Sequence, residues 1–202
     1  MRAWNLLVVA TAFATGACSA QPDDAGRPAT VDEGERTAPA YLEAQGEAAE
    51  MLETPFTAEQ IRDEWIEGFT VTILRSSAGE IRRERWTVVA ADGDGADIEY
   101  AAVDGDGAVL GEPVTARSTW NELHDHALFP VAAATREWTT RDTALGRLEG
   151  WLYRVTEDDP GTINELFFAA SLPGAPVQMT TYDGGEPVSS LEQVARSKPA
   201  WP

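Results

Sequence analysis

Two histidines and the carboxylates beside them lie close enough in the sequence to bind a metal ion or another ligand together. His124 and His126 are the only histidines, and Glu122 and Asp125 lie beside them. On a helix, Glu122 and His126 would face one ligand together, whereas the two histidines would point about 200° apart. A zinc site takes three or four protein ligands, and the sequence has no second His or Cys cluster to complete one. We therefore predict solvated helix residues and no metal or other cofactor.

Two Asp-Gly-Asp-Gly segments begin at Asp92 and Asp104 with the alternate aspartates that open calcium loops. Counted from Asp92, the fifth and twelfth positions should supply oxygen ligands but are Ala96 and Val103. The second segment already fails at its fifth position, Ala108. Asp-Gly is also a strong signal for a tight turn, because glycine readily adopts the positive φ that such a turn requires. The segments therefore predict hairpin turns.

Composition excludes several classes of function. The serines show no G-x-S-x-G elbow, and no pair among the 34 acidic residues stands out for glycoside hydrolysis. We therefore predict that the protein is not an enzyme, and we rank a hydrolase or metal enzyme last. The 34 acidic and 15 basic residues give a net charge of −19. Because this charge repels phosphates, we predict no nucleic-acid binding.

The cysteine Cys18, the only one in the chain, ends an apolar stretch that begins at Leu6. This stretch has about 12 residues, fewer than the ~20 that a helix needs to cross a bilayer. It follows a basic residue, Arg2, and ends in small residues. That arrangement is typical of an export signal, so residues 1–17 are predicted to be a signal peptide.

Residues 14–18, Ala-Thr-Gly-Ala-Cys, resemble the lipobox of bacterial lipoproteins, although Thr15 stands where that family usually has leucine. The resemblance implies that Cys18 receives a diacylglyceryl thioether and anchors the protein to a membrane. Ser19, where inner-membrane lipoproteins carry aspartate, implies the outer membrane in a cell that has two, facing the periplasm or the exterior. The alternative is simple secretion after cleavage behind Ala20, which would remove the cysteine.

The remaining chain divides by composition. Residues 18–55 comprise the lipidated cysteine and a segment rich in Ala, Glu, Pro, Asp and Gly. Such a segment cannot bury enough apolar surface to fold, so we predict a flexible acidic tether. Residues 56–202 have a typical single-domain length and are predicted to form one β-rich domain.

Within that domain, helix caps precede two short apolar segments. Thr57 and Gln60 predict a helix over 58–67, and Ser118 or Thr119 predicts a second helix to about Ala127. Elsewhere apolar and polar residues alternate, as in β-strands. The strand candidates contain 69–73, 86–90 and 98–100, or span 136–143, 147–156, 162–170, 177–182 and 187–194. Together they predict a mainly β (α+β) fold, a curved antiparallel meander of about 8–9 strands that could form a half barrel, with two short helices.

Aromatic residues are concentrated on these strand candidates. Trp151 and Tyr153 share one face of a strand and Leu152 lies on the other, which predicts two apolar faces. One face must pack the core, and the other is either covered by a helix or open as a groove that binds something. The candidate ligand face consists of Trp86, Trp138, Trp151, Tyr153 and Phe167.

In layout, the predicted domain resembles the half-barrel folds of periplasmic lipoprotein carriers and related envelope lipoproteins. This resemblance rests on strand order and composition and assigns no site residue. It implies a non-enzymatic binding module of the cell envelope, for an apolar ligand or a protein partner. The alternative is a structural or assembly lipoprotein whose sheet is fully covered.

Overall fold

The structure, a computed structural model, describes residues 49–157 and 161–199. The predicted signal peptide, Cys18 and most of the predicted tether lie outside these residues. The described residues form two helices, α1 (Ala58–Glu64) and α2 (Trp120–Asp125), and nine strands. The strands are β1 (Thr70–Ser77), β2 (Glu80–Ala91), β3 (Gly95–Val103), β4 (Val114–Thr119), β5 (Ala134–Thr143), β6 (Gly146–Thr156), β7 (Thr162–Ala169), β8 (Gln178–Asp183) and β9 (Glu186–Ser197).

The nine strands of the described residues form one antiparallel sheet with the order β4-β3-β2-β1-β9-β8-β7-β6-β5. Each of the runs β1–β4 and β5–β9 is a meander, and the pairing of β1 with β9 joins the two runs in the middle. The predicted mainly β fold with two short helices is confirmed. Within the described residues β4 and β5 lie at opposite ends of the order, so the sheet is open rather than closed into a barrel.

Strand β4 (Val114–Thr119) was not among the strand candidates. It is an edge strand, and its residues are all exposed or half-buried, so it carries little of the apolar alternation that marks the other strands. The sequence indicated Ser118 and Thr119 only as possible helix caps. Thr119 has two roles, because it is the last residue of β4 and the N-cap of α2.

Both predicted helices begin at a capping box. The side chain of Thr57 accepts a hydrogen bond from the N–H of Gln60 (3.2 Å), and the Gln60 side chain accepts one from the N–H of Thr57 (2.8 Å). These bonds satisfy N–H groups that a helix start leaves unpaired. α1 ends at Glu64 and α2 at Asp125, each slightly earlier than predicted.

The Asp-Gly segments form turns whose backbone is held by the aspartate itself. Between β2 and β3, Asp92 Oδ1 accepts hydrogen bonds from the N–H groups of Asp94 (2.9 Å) and Gly95 (3.0 Å). Asp104 does the same at the start of the longer connection from β3 to β4. A third Asp-Gly turn, at residues 183–185, joins β8 and β9, and Gly184 and Gly185 both have positive φ there.

The main core lies on the sheet face that carries the two helices, which we call the inner face. Ile61 and Trp65 from the α1 region, Trp120 from α2, and Phe129 are buried there. They pack in one cluster with apolar strand residues that include Val71, Ile73, Val88, Ile98, Tyr153, Val155, Leu166 and Phe168. A smaller buried cluster of the described residues contains Leu152, Phe167, Ala169 and Val177. The two clusters bury strand residues of opposite parity, so the smaller one lies on the opposite face, which we call the outer face.

The two helices are short. In residues 49–157 and 161–199, no helix has the length and apolar character needed to span a membrane.

Candidate functional site

An exposed aromatic cluster lies where the inner face meets the edge strand β5. Trp138 on β5 and Trp151 on β6 are directly opposite in the strand register, and their rings meet edge to face with centroids 5.0 Å apart. The guanidinium carbon of Arg136 lies 4.1 Å from the centroid of the Trp151 ring. Trp138 is 51% exposed. We call these three residues the aromatic ledge.

Contacts with the chain segment before α1 hold the aromatic ledge in place. Arg136 donates hydrogen bonds to the main-chain oxygen of Glu53 (2.8 Å) and to its carboxylate (2.7 Å). The bond to the Glu53 carboxylate raises the pKa of Arg136, so its charge is retained. Tyr153 is fully buried and donates its hydroxyl to the same main-chain oxygen at 2.6 Å. Burial raises the pKa of this phenol, which therefore stays neutral and a donor.

The same segment covers part of the inner face. Leu52 donates its N–H to the oxygen of Phe129, and Val131 donates its N–H to the oxygen of Glu50, both at 2.8 Å. The ring of Phe56 lies edge to face against Phe168, with centroids 6.4 Å apart. The sequence assigned residues 50–55 to the tether. In the structure, residues of this segment make contacts that cover part of the inner face.

Trp86 lies on the inner face in the other half of the sheet. Its ring packs edge to face against Tyr100 on β3, at 5.3 Å between centroids. Its indole N–H donates to Glu84 (3.3 Å), which also accepts a hydrogen bond from Arg75 (3.0 Å). Trp86 therefore belongs to a separate aromatic and charged group, on β1–β3 rather than on β5 and β6.

Phe167 lies on the outer face, away from the other candidate residues. In the β6–β7 register it is opposite Leu152, whereas its neighbour Phe168 is opposite Trp151. Because side chains alternate between faces along a strand, Phe168 and not Phe167 joins the inner face. The structure therefore brings together Trp138, Trp151 and Tyr153. Sequence reasoning missed Arg136, although it shares the parity of Trp138 on the same strand candidate.

The inner face is neither fully open nor fully covered. Tyr153 and Phe168 are buried beneath the segment before α1 and Phe129, whereas Trp138 faces solvent. A shallow depression lies elsewhere, between residues 76–79 and 187–190. Its lining contains no member of the ledge.

The polar group around α2 has structural roles. The Glu122 carboxylate accepts a hydrogen bond from the N–H of Thr119 (2.7 Å), and this bond lowers the pKa of Glu122. The ring of His124 is 3.0 Å from the Thr54 hydroxyl and 2.8 Å from the Asp125 carboxylate. Among the described residues, no three His, Cys, Asp or Glu side chains are grouped to hold a metal ion.

An ion-pair cluster supports β5 from the outer face. The Glu165 carboxylate on β7 is 3.1 Å from Arg141 on β5 and 2.8 Å from Arg154 on β6. Burial alone would raise the pKa of Glu165, but hydrogen bonds and charge from the two arginines outweigh it and lower this pKa. The side chain of Glu165 is 15% exposed, so these pairs are partly shielded from water.

The backbone of β5 presents a hydrogen-bonding edge that pairs with no other described strand. Thr156 donates its N–H to the oxygen of Ala133 (2.8 Å), and in antiparallel pairs the bonded residues alternate along each strand. The polar backbone groups of every second residue in β5 therefore point away from β6. Within the described part of the chain, no strand pairs with this side of β5. The residues concerned are Ala134, Arg136, Trp138, Thr140 and Asp142. Of these, Asp142 already accepts a hydrogen bond from the Gln178 side-chain amide on its main-chain oxygen (3.3 Å).

Comparison with known proteins gives a likeness of fold alone. No protein-family model and no curated protein matches this chain. The crystal structure of MucB is similar over 70% of this chain and 57% of that chain, with 15% sequence identity and a TM-score of 0.50.

Two further solved structures have slightly lower TM-scores. One is MucB in complex with MucA(peri), with 13% identity and a TM-score of 0.48, over 72% of this chain and 57% of that chain. The other is the Pseudomonas aeruginosa MucA/MucB complex, with 17% identity and a TM-score of 0.49, over 72% of this chain and 55% of that chain. The chain thus spans a little over half the length of the chains it matches.

Proposed function

We propose that this chain is a non-enzymatic protein of the cell envelope that binds a protein partner through the aromatic ledge. The half-exposed Trp138, held against Trp151 and Arg136, is the observation that carries the proposal. Tryptophan and arginine are enriched among the residues that contribute most to protein interfaces. A large apolar ring kept in solvent by a rigid support has little use in folding the domain itself.

The ledge suits a protein surface better than an apolar small molecule. Small-molecule sites are concave and bury most of their ligand. The inner face beside the ledge is instead filled by Tyr153, Phe168 and the segment before α1. Arg136 is paired with the Glu53 carboxylate and its side chain is 18% exposed, so it holds the Trp151 ring in place and leaves Trp138 as the main contact surface. We therefore expect a partner that offers an apolar side chain.

Photo-crosslinking in cells of the source organism tests the partner. A benzophenone amino acid at position 138 should give a discrete adduct to another protein, and Arg136→Glu should abolish that adduct. Ile81 on β2 is the matched control, because its apolar side chain is 74% exposed but distant from the ledge in strand order. Equal labelling from both positions, or none from position 138, would overturn the proposal.

Attachment to the membrane is a separate part of the proposal. The support is the lipobox-like segment that ends at Cys18, and the expected location is the outer membrane, facing the periplasm or the exterior, if the cell has two membranes. Labelled fatty acid should join the wild-type protein and should not join Cys18→Ala. If neither takes up label, cleavage behind Ala20 and simple secretion replace lipid anchoring.

MucB, which shares this fold, has been crystallised with MucA(peri). At this sequence identity the likeness identifies no partner for this chain. The crosslinking experiment at the ledge is therefore designed without assuming which protein binds.

A further inference from the structure

Edge strand β5 carries charges that complement its own reversed copy. The sequence from Arg136 to Asp142 is Arg-Glu-Trp-Thr-Thr-Arg-Asp. When this segment is laid antiparallel to itself about Thr139, Arg136 meets Asp142 and Glu137 meets Arg141. Each of the two pairings occurs twice across the two strands, so four opposite-charge pairs form and no like charges meet.

The backbone of β5 permits this register. Residues of even number in β5 direct their polar backbone groups away from β6. Pairing about Thr139 places Arg136 opposite Asp142 and Trp138 opposite Thr140, which are all residues of this outward set. Two strands can exchange main-chain hydrogen bonds only through such residues, so charge pattern and hydrogen-bond pattern agree on one register.

The strand lacks two features that protect many edges, shortness and proline, although it carries charged side chains. β5 has ten residues and contains no proline, whereas natural edge strands are commonly short, interrupted or covered. Thr135, Glu137, Trp138, Thr140 and Asp142 are all exposed. Pairing would place Trp138 of one copy beside Thr140 of the other.

We propose that β5 pairs with β5 of a second copy of this chain, antiparallel and centred on Thr139. The two sheets then continue into one another, and the aromatic ledges of both copies lie side by side on the same face. The inference goes beyond the proposed function, because it concerns the oligomeric state and needs no other protein. A single pair of strands is a small interface, so the dimer is reversible and depends on concentration.

Charge reversal tests the register. Glu137→Arg places two Arg–Arg pairs in the dimer and Arg141→Glu places two Glu–Glu pairs. Since each variant replaces two opposite-charge pairs by two like-charge pairs, it should raise the dimer dissociation constant about tenfold or more. Sedimentation equilibrium of the chain from Ser19 onward, which contains every described residue, measures this constant.

A mixture of the two charge variants separates register from general damage. One chain with Glu137→Arg and one chain with Arg141→Glu restore all opposite-charge pairs between them, so the mixture should dimerise more tightly than either variant alone. Arg141 also binds Glu165 within its own chain, so circular dichroism must first show that Arg141→Glu is folded. A mixture that stays monomeric although both variants are folded overturns the proposed register.

Proline substitution tests the edge without altering charge. Thr140→Pro removes an N–H that points away from β6, so the fold keeps its hydrogen bonds while the dimer loses two. Thr115→Pro is the matched control, since Thr115 is an exposed threonine on the edge strand β4. Trp120 donates its main-chain N–H to the main-chain oxygen of Asp94. Because the bonded residues alternate along an antiparallel strand, the N–H of Thr115 points away from β3.

Three outcomes decide the proposal. A dimer in the wild-type chain that Thr140→Pro abolishes and Thr115→Pro preserves supports it. A monomer at all measurable concentrations, or a dimer insensitive to Thr140→Pro, overturns it. None of these three outcomes depends on a heterologous partner, so a failed crosslink at position 138 and a failed dimer are distinguishable.

Discussion

The two edge strands of the sheet, β4 and β5, differ in how well their outward-pointing backbone groups are protected from pairing with another strand. β4 is six residues long and runs directly into α2, and the N–H of its last residue, Thr119, is bound by Glu122. Arg117 on β4 is bound to Asp92 (2.7 Å) and Asp97 (3.5 Å). β5 is ten residues long and carries the half-exposed Trp138. Its backbone edge is left open within the described part of the chain.

This difference shows how one sheet can have one closed edge and one available edge. At β4, the strand is short, the cap of α2 occupies the outward N–H of Thr119, and Arg117 adds a charged side chain, all of which protect an edge. At β5, the supporting contacts come from behind: Arg136 is held by Glu53 on the inner face, and Arg141 by Glu165 on the outer face. The strand is thus rigid without being covered, as a binding surface should be.

The tight attachment of β4 should be sensitive to one added methyl group. A Cβ at Gly95 would lie 2.3 Å from the oxygen of Ser118 and 2.9 Å from the Cα of Thr119. Gly95→Ala should therefore lower the free energy of unfolding by about 1–3 kcal/mol, measured by urea denaturation. Gly93→Ala is the control in the same turn, because its Cβ would meet nothing within 4 Å. Similar values for both variants would contradict close packing of β4.

The support of β5 should depend on pH through Glu165. Because the pKa of this carboxyl is lowered in the folded state from its ordinary value of 4.5, its ionised form stabilises the fold at neutral pH. That contribution is lost as the pH falls below about 4.5 and through the lower folded-state pKa. Glu165→Gln should cost about 1–2 kcal/mol at pH 7, with the difference from wild type shrinking in acid.

Urea denaturation at a series of pH values measures the Glu165 effect. Glu149→Gln on β6 is the control, since Glu149 is exposed. A cost for Glu165→Gln that stays constant down to about pH 3 would show that its charge does not support β5.

The closure of β4 by α2 should have a smaller energetic effect. Thr119→Ala removes the side chain that accepts the N–H of Glu122 (3.1 Å) and should destabilise the protein by about 1 kcal/mol. Thr140→Ala on the exposed edge of β5 should change stability by less than about 0.5 kcal/mol. Thermal and urea unfolding give both values. An equal loss at the two threonines would remove the distinction between a closed and an open edge.

Local sequence signals predicted most of the elements and only part of the candidate site. Capping boxes at Thr57 and Thr119 and the Asp-Gly turns act over a few residues, so they could be found from sequence. The shared side of Trp151 and Tyr153 follows from the two-residue period of a strand. β4 was missed because an exposed edge strand has little apolar alternation. Phe167 was placed on the candidate ligand face because two adjacent aromatic residues do not reveal which one shares the face of Trp151.

The acidic character of the chain, the lipobox-like segment that ends at Cys18, and a mainly β fold with two short helices could all be inferred without the structure. The tertiary structure decided which strands are edges. β4 and β5 follow one another in the sequence, yet the pairing of β1 with β9 places them at opposite ends of the sheet. That pairing joins residues more than a hundred positions apart, and no local pattern encodes it. The exposure of Trp138, and with it the candidate binding surface, follows from this long-range pairing.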